Sequence, residues 1–74
     1  MDTIKQKFAE KLRRLRTEKN LTQEELAQLS GIDYKYLQKL EGKKPSSPTL
    51  STLEKLANGL EISLVELVAK VYDE

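Results

Sequence analysis

The chain has 74 residues, 13 Lys and Arg against 12 Asp and Glu, and neither cysteine nor histidine. This composition excludes a disulfide framework, a cysteine or histidine zinc site and the commonest general base. A chain this short holds one modest core, so folding must rest on well-capped, well-packed helices or on a second subunit. No apolar run approaches the roughly 18 residues of a membrane span, and no charged-then-apolar leader opens the chain. The expectation is a cytoplasmic, all-α single domain over residues 1–74, with no cofactor, metal, membrane or small-molecule partner.

Five helices follow in chain order. The first is expected from about Ile4 to Lys19, with Ile4, Phe8, Leu12 and Leu15 on one face. Thr3 caps it and Gln6 completes a capping box. The second opens at Thr22 with Glu25 as its box partner, buries Leu26, Ala27 and Leu29, and stops at Gly31 in the left-handed conformation. Asp33 caps the third, Tyr34 to Leu40 or Glu41, which Gly42 ends. Its inward residues are Ile32, Leu37 and Leu40; Tyr34, Lys35, Gln38 and Lys39 face out.

Two prolines and two serines make Lys43–Pro48 a loop. Thr49 caps the fourth helix, with Leu50, Leu53, Leu56 and Ala57 on its face and Asn58-Gly59 as its stop. Ser63 and Glu66 form a third capping box, opening a last helix to about Tyr72. No β pattern and no repeat is present.

The net charge of +1 conceals a segregation. Residues 1–44 hold eleven basic and seven acidic side chains; residues 45–74 hold two and five. Such asymmetry steers association more than the total does. Lys5, Lys7 and Lys11 read best as a solvated helix face. Lys35, Lys39, Lys43 and Lys44 gather in and after the third helix. With no histidine, cysteine or glycine-rich phosphate loop, no catalytic constellation can be assembled, and a non-enzymatic role is expected.

The ordered set Leu15-Arg16, Leu21-Thr22-Gln23-Glu24-Glu25-Leu26-Ala27, Gly31-Ile32 and Tyr36-Leu37-Gln38-Lys39-Leu40-Glu41 resembles the lambda-repressor-like helix-turn-helix family, Cro/C1-type. Gly42-Lys43, Pro48-Thr49-Leu50, Thr52–Ala57 and Ile62-Ser63 continue the likeness. The resemblance implies a compact five-helix DNA-binding fold with the helix-turn-helix at about 22–41. Its second helix would lie in the major groove while the first crosses the DNA backbone.

Carried over, Tyr34, Lys35, Gln38 and Lys39 become the base-reading candidates, lysine suiting guanine acceptors and glutamine suiting adenine. Thr22, Gln23, Tyr36, Lys43 and Lys44 become the phosphate contacts. Tyr36 is equally suited to packing beside two buried leucines. Gln23, at an exposed first turn, has little structural reason for being there. The resemblance also implies an Arg16–Glu41 ion pair tying the first helix to the end of the third. Arg16 there is a structural residue more readily than a direct DNA contact.

One module of this kind reads few base pairs, so a homodimer on a palindromic operator is expected. On the last helix Leu64, Leu67, Val68 and Val71 form a stripe for the domain's own core. Val65, Val68, Ala69 and Tyr72 widen it into a dimer contact over about 64–72. With no effector domain after residue 74, control through protein concentration and dimerisation is expected. The competing reading is a helical protein-interaction module, antitoxin-like or adaptor-like, favoured by the near-neutral charge and disfavoured by the lysines of the third helix.

Overall fold

The computed structural model describes residues 3–72. Its elements are α1 (Ile4–Glu18), α2 (Gln23–Ser30), α3 (Tyr34–Leu40), α4 (Leu50–Gly59) and α5 (Leu64–Tyr72), with no strand among the described residues. Caps fix the starts. Thr3 Oγ1 accepts from Gln6 N while Gln6 Oε1 accepts from Thr3 N, and Thr22 with Glu25 repeats the arrangement. Asp33 accepts from the N–H groups of Lys35 and Tyr36, and Thr49 from that of Thr52. Ser63 Oγ accepts from Glu66 N at 3.0 Å, one arm of the expected box. Each bond satisfies an N–H that a helix start otherwise leaves unpaired, worth about 1 kcal/mol.

The stops divide between two devices. Gly31 closes α2 at φ 71°, where Ile32 N reaches back to Ala27 O at 3.0 Å. Glycine fits because a Cβ is penalised in this region. At the end of α4 the left-handed residue is Glu61 (φ 60°), not Asn58-Gly59, and Ile62 N again bonds five residues back to Ala57 O. Gly59 stays helical and buried for another reason. A Cβ there would collide with Ser30 Oγ and lie 3.1 Å from Ser30 N and 3.2 Å from Leu26 Cδ1. Gly59 thus lets α4 approach α2 closely. Nor does Gly42 itself cap α3; Glu41 does, at φ −97°.

The core joins Phe8 and Leu12 of α1, Leu26 and Ala27 of α2, Leu37 and Leu40 of α3, Leu53, Leu56 and Ala57 of α4, Leu60, and Leu67 and Val71 of α5. The packed pairs are α2 with α3 and α4, and α5 with α1 and α4. Tyr72 stacks on Phe8 with ring centroids 6.1 Å apart, which closes α5 onto α1. The partial burial also pushes the Tyr72 hydroxyl pKa up.

Four expected core residues lie elsewhere. Ile4 and Leu50 are exposed. Each begins its helix, and side chains lean toward the helix N-terminus, so both lean off the end of the packed surface. Leu29 is exposed because Leu26, Ala27 and Ser30 define the buried face of α2, and Leu29 lies roughly 100° round from its centre. Val68 is only partly covered.

Two substitutions in α4 and its exit separate packing from propensity. Gly59→Ala improves helix propensity yet should destabilise the protein by about 1–3 kcal/mol through overpacking against α2. Glu61→Gly relieves a left-handed non-glycine residue and should stabilise it by up to about 1 kcal/mol. Urea unfolding midpoints of the two variants should therefore move in opposite directions.

Candidate nucleic-acid interface

A 3.6-residue period leaves α3 with one apolar and one polar face. Leu37 and Leu40 are fully buried, which directs Tyr34, Lys35, Gln38 and Lys39 to the solvent side, where all four are exposed. The face carries two cations and two hydrogen-bonding groups, and the adjacent Asp33 carboxylate is engaged as the α3 cap. Beyond it, Lys43 and Lys44 are exposed on a loop that the buried Pro45 pins to the body of the protein. At the start of α2 the N–H groups of Gln23 and Glu24 belong to the unpaired first turn, since Thr22 and Glu25 satisfy only each other's.

Glu41 links these pieces. Its carboxylate accepts from Arg16 Nε at 2.9 Å and Arg16 Nη2 at 3.0 Å, a two-pronged pairing in which the Glu41 side chain is 1% and the Arg16 side chain 12% exposed. Arg16 Nη1 donates to Leu21 O at 2.7 Å, so the same guanidinium also fastens the α1–α2 connection. Gln23 Nε2 donates to Glu41 Oε1 at 3.0 Å. This gives Gln23 the structural reason its exposed first-turn position concealed. One N–H of its side-chain amide is engaged within the protein, and its backbone N–H stays in the unpaired first turn.

Arg13 adds a contact that sequence reading missed. Its Nη2 donates to the Glu41 carbonyl at 3.1 Å, satisfying an oxygen at the end of α3. The signal was present: Arg13 and Arg16 are three apart, hence on one side of α1 and able to meet the same neighbour. Together they hold the last turn of α3 by backbone and side chain at once. Arg14, by contrast, turns to Glu10 in an exposed pair at 3.7 Å.

Tyr36 is partly buried against the core, and its hydroxyl lies 3.3 Å from Thr52 Oγ1. Packing and a hydrogen-bonded hydroxyl therefore coexist in this residue. On α5, Leu64, Val65, Val68, Ala69 and Tyr72 line a shallow apolar depression. Val65 there is 78% exposed, and Tyr72 contributes one ring face to Phe8 and the remainder to the depression.

Comparison with known proteins places this geometry among characterised folds. The family model described as helix-turn-helix matches residues 12–67. An uncharacterized HTH-type transcriptional regulator, y4dJ, of Sinorhizobium fredii (strain NBRC 101917 / NGR234) is 52% identical over 56 residues, 74% of this chain and 70% of that protein. The crystal structure of the restriction-modification controller protein C.AhdI from Aeromonas hydrophila superposes with a TM-score of 0.75 at 44% identity, covering 84% of this chain and 92% of that one. A second structure, C.Esp1396I bound to a 19 base pair DNA duplex, gives a TM-score of 0.79 at 29% identity over 97% of this chain and 100% of that one.

The Arg16–Glu41 pairing makes a prediction independent of DNA. Arg16→Ala leaves a buried carboxylate without its charge partner and should cost about 3–5 kcal/mol. Arg16→Lys restores charge but not the two-pronged geometry, and should recover only part of the loss. Chemical unfolding of the two variants checks both statements.

Proposed function

As a member of the helix-turn-helix family, to which this chain belongs, we propose, the protein is a sequence-specific DNA-binding transcriptional regulator acting in the cytoplasm as a homodimer on a short palindromic operator. The observation that carries this reading is the α3 face: Lys35 and Lys39 stand exposed on a helix whose opposite side is fully buried. Such a helix can enter the major groove without uncovering the core. Tyr34, Lys35, Gln38 and Lys39 read base edges in this proposal, with the Tyr34 ring suited to a thymine methyl. Thr22 and the backbone N–H of Gln23 meet one phosphate, where the start of α2 favours an anion. Tyr36, Lys43 and Lys44 meet others.

Support for a non-enzymatic regulator comes from the relatives. One similar protein is named as a transcriptional regulator, another as a restriction-modification controller, and a third has been captured on DNA. Dimerisation is supported by the apolar depression on α5. An exposed valine beside Val68, Ala69 and Tyr72 forms a continuous apolar surface, the kind that marks association. A two-fold pair then spaces the two α3 helices for successive half-sites about 34–36 Å apart.

Selection of bound duplexes from a random pool, followed by titration at two salt concentrations, tests the proposal. Enrichment of a palindrome with a steep salt slope is expected; a flat, unselective result would remove it. Lys35→Ala should relax the preference at one or two base pairs per half-site, costing about 1–3 kcal/mol on the selected duplex. Lys43→Ala should weaken all sequences alike and lower the salt slope by about 1. Val65→Glu should shift sedimentation to the monomer and weaken operator binding together, whereas a monomeric native protein at high micromolar concentration would exclude the dimer.

A further inference from the structure

Three hydroxyls run in a line from the start of α4 to α3. Thr49 Oγ1 accepts from the backbone N–H of Thr52 at 3.1 Å and passes its own proton to Thr52 Oγ1, also at 3.1 Å. Thr52 Oγ1 in turn lies 3.3 Å from the Tyr36 hydroxyl, a contact in which either group can donate. Each hydroxyl has one proton to give and either direction leaves one of the three unused, so the burial of the member that keeps it decides the direction. If Tyr36 donated to Thr52, the Thr52 proton would have no acceptor in the line although Thr52 is buried, and an unmet buried donor is costly. If Thr52 donates to Tyr36, the buried Thr52 proton is met and the unused one belongs to the less buried Tyr36. The phenol proton is then free for an acceptor outside the line.

We infer that Thr52 is a positioning residue for DNA-backbone binding: its hydroxyl donates to Tyr36, which turns the phenol proton outward to a phosphate oxygen. The inference rests on the reading of Tyr36 as a phosphate contact and adds the residue that aims it. The line begins at a first-turn N–H of α4, the positive end of a ten-residue helix, and every bond donates in the same outward sense. A hydroxyl that already accepts a hydrogen bond donates more strongly, so the arrangement polarises Tyr36 as well as orienting it. No charged side chain is needed, and the recognition helix is coupled to α4 through the group that touches DNA.

A double-mutant cycle on a duplex obtained by the selection described above tests this. Tyr36→Phe should weaken binding about tenfold, the range for a hydrogen bond to a charged group. Thr52→Val, equal in shape but lacking the hydroxyl, should weaken it several-fold in the native background and not at all in the Tyr36→Phe background. Thr52→Ser should restore native affinity, which a merely steric role would not produce. Urea unfolding run in parallel establishes that each variant is folded, with Thr52→Ala replacing the valine variant should that one fail to fold. Equal losses from Thr52→Val in both backgrounds would overturn the relay while leaving Tyr36 on the phosphate. Native affinity of Thr52→Val beside a weakened Tyr36→Phe would do the same. Native affinity of Tyr36→Phe would overturn the phosphate reading of Tyr36 as well.

Discussion

A carboxylate almost without solvent contact, Glu41, sets the terms for the rest of this molecule. Its two oxygens hold Arg16 and Gln23, and its backbone carbonyl holds Arg13, so α1, the start of α2 and the end of α3 converge on one residue. Buried ion pairs are often no more stabilising than apolar contacts of the same shape. What they impose is geometry, because an unpaired charge in the interior is far costlier than a poorly packed methyl group. A slip of α3 along its neighbours would open these bonds. The angle between the first turn of α2 and the outer face of α3 is fixed for that reason, and phosphate and base contacts need that angle held together.

Apolar packing supplies the other constraint. Helices of seven to fifteen residues are marginal in isolation, and α3 is the shortest. Its two fully buried leucines, its Asp33 cap and the Glu41 anchor compensate. α2 and α4 form the close contact behind it, made possible by the missing side chain of Gly59. A rigid platform results, with its polar face left free. Specific recognition uses rigidity of this kind, since a helix that must be ordered on binding loses affinity to that cost.

The charge distribution follows the same division. Cations outnumber acids before Pro45, on the part of the chain that holds α1, α2 and α3, while the later part is acidic and ends in the apolar surface of α5. The exposed face of α3 is basic and the α5 depression apolar, so the two surfaces differ in chemistry. The hydroxyl line through Thr49, Thr52 and Tyr36 connects the two parts by way of α4. Binding at the α3 face is therefore mechanically continuous with the helix that packs on α5.

Local chemistry made much of this legible in the sequence. Caps at Thr3, Thr22, Asp33 and Thr49, the glycine exit at Gly31 and the outward lysines of α3 depend on residues within a turn of each other, so period and composition were enough to place them. Ile4, Leu29 and Leu50 show where that reasoning ends: periodicity gives a helix its face, but only the neighbouring helices determine how far along it burial extends. Gly59 looked like a stop and is a point of close approach, because its role depends on Ser30, 29 residues earlier in the chain. The Gln23 amide and the Thr52 hydroxyl were likewise out of reach, each being defined by an atom that long-range packing delivers, whereas the Arg13 contact left a trace in its spacing from Arg16. The sequence by itself determined five capped helices and the polar face of the third. The Arg16–Glu41 pair was anticipated through the family resemblance. Only the tertiary structure decided the Gln23 and Arg13 contacts that complete the hold, since hydrogen-bond partners far apart in the chain meet only when the core has formed.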